Sequence, residues 1–310
     1  MEIAVRATLV ILLPLSILIA ACTKVLDVPT PYVGDKLVIV GVLTPDSIPT
    51  LLVTRTFQTV GNIDLKANII SNAQVYLLEN GQQIGQLIHR ANGQYEAPAK
   101  LKIREGKAYS YSVVAAGFPS VHSSYEEVPS PPLSFSVDLG ELISSPFGSS
   151  ADNRRIRCQF VDDLTTKDYY SISFELYSQS YSLAFNSFGM DRPDDIEDGC
   201  GFRSRGQPNE YNLTDLCFSK NVGTLVVGVD LEGFARTKDS QILKLKAQSI
   251  VVSLRRTNQG YQEYSRTFSI ESDDIFQAFD PPKVRYSNVQ GGYGFIGVYS
   301  QRKISVKLTP

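Results

Sequence analysis

The sequence predicts a mainly β protein: a small β-sandwich, then a second β-rich domain with a short helix and a long acidic loop. Three observations predict it. Val, Ile, Thr, Tyr and Ser are common while long Ala/Leu/Glu/Lys stretches are missing, a bias that suits strands. Short alternating runs recur with turn signals between them, as in sandwiches. Asn80-Gly81 and Asn92-Gly93 interrupt two such runs, and the tight hairpin turn needs positive φ at both positions.

The first element is a leader, residues 1–21. Arg6 closes a weak basic region, and an apolar segment runs from Ala7 to Ala21 with Pro14 and Ser16 inside it. A spanning helix needs roughly 20 apolar residues, so this shorter, proline-bearing run reads as a signal segment. Leu18-Ile19-Ala20-Ala21-Cys22 fits the pattern cut by lipoprotein signal peptidase, whereas Ala20 and Ala21 alone would also suit ordinary secretory cleavage. The positioned cysteine favours the lipoprotein reading, with Cys22 as the acylated first residue of the mature chain. Such acylation anchors firmly, because two lipid chains already suffice. Residues 22–35, with Pro29, Pro31 and Gly34, read as a tether.

Structure is expected from Lys36. Leu37–Val42, Thr50–Phe57, Ala73–Glu79, Ile84–His89, Gln94–Tyr95, Ala108–Val114 and Ser120–Val128 pattern as strands. Gly93-x-Tyr95 and Gly106-Lys107-x-Tyr109-x-Tyr111-x-Val113 resemble the carboxypeptidase-regulatory-like and transthyretin-like sandwiches, whose glycine-led tyrosine plugs the core. That resemblance implies an Ig-/transthyretin-like sandwich over 36–129, usually a spacer or adaptor. Pro129-Ser130-Pro131-Pro132 removes backbone donors and stiffens the chain, which places a boundary there.

The second domain, 130–310, is less regular. Leu133–Leu139, Arg155–Val161, Tyr169–Tyr177, Tyr181–Phe188, Thr224–Leu231 and Ile242–Leu254 pattern as strands. Residues 189–216 read as a long polar loop. Tyr261, Tyr264 and Phe268 fall at helical spacing after Asn258, and the tail from Gly291 to Leu308 is glycine-rich, then strand-like.

Chemistry-bearing motifs are sparse. The net charge of −2 gives no basic excess, so no nucleic-acid partner is expected. His89 and His122 fall on separate predicted strands, and GxSxG, HExxH and GxxxxGK[ST] are absent. Asp191, Asp194, Asp195, Glu197 and Asp198 form an acidic run of oxygen donors that suit calcium. The EF-hand register fails, since Ile196 takes a ligand position and Arg205 stands where the bidentate Glu belongs; a solvated loop is expected, with no metal or cofactor. Cys158 reads as a buried thiol. Cys200 and Cys217 flank a polar stretch and stand open between a disulfide and free thiols. Tyr169, Tyr177 and Tyr181 are candidates for a binding surface, because tyrosine is amphipathic and ordered at little entropic cost.

Motifs along nearly the whole mature chain resemble the DUF4249 lipoproteins of the Bacteroidota. They are Cys22-Thr23-Lys24-Val25-Leu26-Asp27-Val28-Pro29, Leu37-Val38-Ile39-Val40-Gly41-Val42-Leu43-Thr44, Thr54-Arg55-Thr56 and Ala73-x-Val75-x-Leu77. The most specific is Ser287-Asn288-Val289-Gln290-Gly291-Gly292-Tyr293-Gly294-Phe295-Ile296-Gly297-Val298-Tyr299-Ser300. The resemblance implies an outer-membrane lipoprotein encoded beside a TonB-dependent receptor, and it carries over no catalytic residue. Acidic residues are missing just after Cys22, so a periplasmic face stands beside surface display. The resulting expectation is a non-enzymatic accessory of an outer-membrane receptor or transporter. The alternative is a binding module for an extracellular glycan or peptide.

Overall fold

Alternation of apolar and polar side chains decides which face each strand buries, and the computed structural model follows that alternation. The structure describes residues 34–57, 65–143, 153–163, 165–179, 181–184, 187–191, 201–203, 209–217, 221–269 and 285–308. The leader, Cys22 and the tether up to residue 33 lie outside the described residues, as do Asp194, Asp195, Asp198 and Cys200. The fold is mainly β, of sandwich type, with one short α-helix among the described residues.

The first core is built by β1 (Leu37–Leu43), β2 (Thr50–Arg55), β3 (Gln74–Glu79), β4 (Gln82–Ala91), β5 (Gln94–Glu96), β6 (Ala108–Val114), β7 (Val121–Ser123) and β8 (Glu126–Glu127). β1, β2, β5 and β4 pair in that order, and β4 continues through β3 and β6 to β7. Leu37, Ile39, Leu51, Val53, Val75, Leu77, Tyr109, Tyr111 and Val113 fill the space between the two layers. Both predicted hairpin turns form, with φ of 49° and 86° at Asn80 and Gly81 and of 51° and 76° at Asn92 and Gly93. The tyrosine plug forms as well. Tyr95 is 1% exposed, accepts from the Ala73 N–H at 2.8 Å and donates to the Ile70 carbonyl at 3.0 Å. A buried hydroxyl keeps its place only when paired in this way.

The second core lies between a separate four-stranded sheet and the continuation of the sheet that holds β1 and β2. One contains β9 (Ser134–Ile143), β10 (Asn153–Val161), β13 (Ser187–Asp191) and β16 (Val222–Asp230), in the order β13-β16-β10-β9. The other contains β11 (Tyr169–Ser178), β12 (Tyr181–Leu183), β14 (Phe202–Arg203), β15 (Glu210–Thr214), β19 (Ser249–Thr257) and β21 (Tyr293–Lys307). Ile156, Cys158, Phe160, Ile172, Phe174, Leu225, Val227, Val252 and Leu254 pack between them. β17 (Glu232–Arg236) and β18 (Ile242–Lys246) form a separate two-stranded hairpin. The short β20 (Val289–Gln290) pairs with β7.

β21 joins the two halves. Its first part, Tyr293 to Val298, runs parallel to β1, and its second part, Tyr299 to Lys307, runs antiparallel to β19. Ile296 and Val298 consequently sit in the first core, although the sequence assigns their segment to the range 130–310. Gly294 makes the parallel approach possible: its φ is 125°, and a Cβ there would lie 1.8 Å from the Ile39 carbonyl oxygen. Residues 35–310 group as one unit.

The helix expected after Asn258 is present as α1 (Gln259–Ser269). Asn258 caps it, its Oδ1 accepting from the Tyr261 N–H at 3.2 Å. The expected loop 189–216 needs correction, because it contains β15 within the sheet. Glu210-Tyr211-Asn212-Leu213-Thr214 alternates strictly, with Tyr211 and Leu213 in the second core. The polar partners of that alternation are buried too, on the opposite face.

Candidate functional site

That opposite face is polar although it is covered. β15, β11, β19 and β21 pair in sequence, so each cross-strand row points four side chains to one side. One row is Asn212, Ser171, Arg255 and Gln301; the next begins Glu210, Ser173, Ser253. Ser171 and Asn212 are fully buried, Ser253 and Glu210 are 1% exposed, and Ser173 is 4% exposed.

A charged pair crosses this floor. Arg255 Nη1 donates to Glu210 Oε2 at 2.8 Å, with the Glu210 side chain 2% exposed. The bridge passes over β11, where serines leave it room. Tyr261 of α1 donates to the other Glu210 oxygen at 3.2 Å, and the Arg255 guanidinium lies 5.1 Å from the Tyr299 ring centre. Burial works against the Arg255 charge, but Tyr261 and Glu210 more than offset it and hold its pKa above the ordinary value. Burial, reinforced by Glu210, raises the Tyr261 hydroxyl pKa. Gln262 closes the layer from α1, its Nε2 donating to the Tyr170 carbonyl at 2.8 Å.

Many polar atoms here have no partner among the described residues. They include both amide atoms of Asn212, the Ser171 and Ser173 hydroxyls, and Arg255 Nε. Gln262 Oε1, Gln301 Oε1 and the Tyr169 hydroxyl complete a set of eight. Buried polar atoms of this kind are ordinarily met by ordered water.

A second polar knot lies beside it, on the turn between β10 and β11. Tyr170 donates to Asp162 Oδ1 at 2.6 Å, and Arg256 holds Asp168 at 2.5 Å. Burial raises the Asp162 pKa, Tyr170 opposes that, and Asp168 and Asp215 add to the rise. Among the described residues no three His, Cys, Asp or Glu side chains converge to hold a metal ion.

The tyrosine surface expected from the sequence is not assembled. Tyr169 and Tyr177 share the polar face of β11 but stand eight positions apart, roughly 27 Å at about 3.4 Å per residue. Tyr177 is engaged with Glu175 at 2.5 Å. Tyr181 pairs with Ser178 and so points to the opposite, core side. Asp191 ends β13 opposite Val226. Cys217 carries a buried thiol that is free among the described residues, and Cys200 lies outside them. The Cys217 sulfur accepts from the Thr214 N–H at 3.4 Å. Sequence reading missed Glu210, Asn212 and Arg255; their signal was polar alternation inside strands too apolar on the other side to be loops.

The match to the family model for a domain of unknown function, DUF4249, covers residues 23–305, nearly all of the chain. The chain belongs to the DUF4249 family. The most specific family-like stretch, Ser287–Ser300, contains β20 and the first part of β21. Asn288 ties the start of this stretch to β21 and β8, accepting from the Ile296 N–H at 2.9 Å and donating to Glu126 at 2.8 Å. No curated protein matches this DUF4249 chain in sequence. Among solved structures it is similar to a protein of Corynebacterium diphtheriae described as membrane anchored, with 9% identity and a TM-score of 0.22. That match covers 72% of this chain and 55% of the other, so it spans little more than half of the Corynebacterium protein. It is also similar to the major pilin subunit of Bacillus cereus, with 8% identity, a TM-score of 0.20 and coverage of 73% and 65%. Likeness at this level carries no argument about function.

Proposed function

We propose that this protein is a lipid-anchored accessory of an outer-membrane, TonB-dependent receptor and acts through protein contact rather than catalysis. Cys22 is the attachment point in this reading. The observation that supports a contact role is the β17–β18 hairpin. Its inner face, with Ala235 and Leu245, packs on the second core. Its outer face presents Phe234, 53% exposed, and Ile242, 66% exposed. The register sets Phe234 opposite Lys244 and Ile242 opposite Arg236, which makes the two apolar side chains diagonal neighbours. With Lys244 paired to Glu232 at 2.5 Å, the aromatic and the aliphatic side chain are the exposed anchors, which fits a partner surface that is apolar at its centre.

Membranes solubilised in mild detergent test the proposal. The protein should co-purify with a TonB-dependent receptor, and its deletion should impair uptake through that receptor. Repeated recovery as a lone monomer, with uptake intact, would overturn it.

A further inference from the structure

We infer that β9 is a docking edge that accepts an extended strand of another protein, one that alternates apolar and basic side chains. The inference is independent of the hairpin contact. β9 ends the four-stranded sheet, and among the described residues it pairs with β10 alone. Its regular part, Ser134 to Leu139, is roughly 20 Å long at about 3.4 Å per residue, and the register shift between Arg154 and Ile156 falls outside it. Proteins blunt such an edge with lysine, proline or a bulge. A second edge of the same sandwich shows that device. β21 pairs with β19 alone over Tyr299–Lys307, and there it carries Arg302, Lys303 and Lys307. β9, with the sequence SFSVDLGELI, holds no Lys, Arg or Pro. Its apolar side is unfinished as well. Phe135, Val137 and Leu139 pack on the second core but stay only partly buried, and Leu133 and Leu142 are 63% and 60% exposed. A strand laid beside β9 would extend the core over Phe135, Val137 and Leu139, its backbone supplying affinity and its alternate side chains specificity.

Charge selects the partner. β9 carries two acids, Asp138 and Glu141, and no base. Glu141 is paired with Arg155 at 3.1 Å, whereas Asp138 is exposed and has no ion pair among the described residues. Asp138 stands opposite Arg157 of β10, on the outer side of the sheet. A side chain added beside Asp138 would lie one strand spacing from it, about 4.8 Å, and two spacings from Arg157, about 9.6 Å. The screening length at physiological salt is about 8 Å, so Asp138 dominates and favours a basic neighbour. A groove of about 390 Å³ lies over this row, with Asp138, Gly140, Glu141, Arg155 and Arg157 in its lining. Gly140 adds no side chain to it, which leaves room for a lysine or arginine stem to lie across β9. A second copy of this chain fits less well, because its β9 would bring Asp138 and Glu141 again and no base.

Fluorescence anisotropy of the full chain in mild detergent tests this with labelled octapeptides. One alternates Val and Lys, one alternates Val and Glu, and one has the Val/Lys composition in two blocks. The alternating Val/Lys peptide should bind saturably, and the other two about tenfold more weakly or worse. On binding, hydrogen exchange should slow at residues 134–139. Asp138→Lys changes an exposed position, so the fold should persist while binding weakens by about tenfold. Failure of the alternating Val/Lys peptide to bind would overturn the inference, as would equal binding of either other peptide. Binding that survives Asp138→Lys, or that leaves exchange at 134–139 unchanged, would overturn it too. Self-association of the chain that protects the same residues would replace the proposed occupant with a second copy.

Discussion

Replacing Arg255 by methionine should destabilise the protein far more than removing an exposed arginine. The Glu210 side chain is 2% exposed, and without Arg255 its carboxylate keeps only the Tyr261 hydroxyl at 3.2 Å. Stranding a buried charge in this way costs about 3–5 kcal/mol. At roughly 2–4 °C per kcal/mol for a chain of this size, the melting midpoint should fall by on the order of 10 °C. Arg90 provides the control: it pairs with Glu96 at 3.3 Å with 55% of its side chain exposed, and Arg90→Met should cost about 1 kcal/mol or less. The double variant Glu210→Leu/Arg255→Met should recover most of the loss, because it removes both charges together. Urea unfolding followed by circular dichroism reads all four proteins. If Arg255→Met falls no further than Arg90→Met, the Glu210–Arg255 pair is not desolvated and the description of the polar face is wrong.

Three further predictions follow from other parts of the fold. Gly294→Ala should abolish the parallel pairing of β1 with β21, a loss above about 4 kcal/mol that appears as insoluble or protease-sensitive protein; recovery of a stable, soluble variant would contradict the register. Asp162 has a raised carboxyl pKa, so its neutral form is favoured in the fold. Its contribution is full below the ordinary aspartate value and fades as pH rises through the folded one, so Asp162→Asn should gain stability over wild type across that window; an unchanged difference from pH 4 upward would refute this. Cys158 and Cys217 are buried, and burial raises the Cys158 thiol pKa further. Both should resist iodoacetamide in the native protein and react after unfolding; rapid native labelling would contradict their placement.

Local chemistry made much of this fold readable. Asn80-Gly81 and Asn92-Gly93 could mean little but tight turns, and Tyr95 behind Gly93 could plug only a core. Tyr261 and Tyr264 at helical spacing located α1. Three things were hidden by being non-local. The parallel pairing of Tyr293–Val298 with β1 joins segments more than 250 positions apart in the chain, and no local pattern encodes it. β15 looked like loop because half of its residues are polar, whereas its polar half is buried by the helix and by the Glu210–Arg255 bridge. Tyr181 faces the core because β12 pairs antiparallel with β11 and sets Tyr181 opposite Ser178, a core-side position of β11. The candidate site was legible only as alternation. Alternation alone puts Ser171, Ser173, Ser253 and Arg255 on the polar side of their strands; that this side is covered follows from the sheet and α1.

The contact role of the hairpin has a direct measurement. An affinity-tagged full chain and its Phe234→Glu/Ile242→Glu variant, expressed at equal levels, would be recovered from native membranes in mild detergent and the co-eluting protein quantified. The account predicts a TonB-dependent receptor in near-stoichiometric amount with the wild type and its loss with the variant, while both proteins stay folded and membrane-bound. Equal receptor recovery with the two proteins would contradict the hairpin as the contact, and no receptor with either would contradict the accessory role itself.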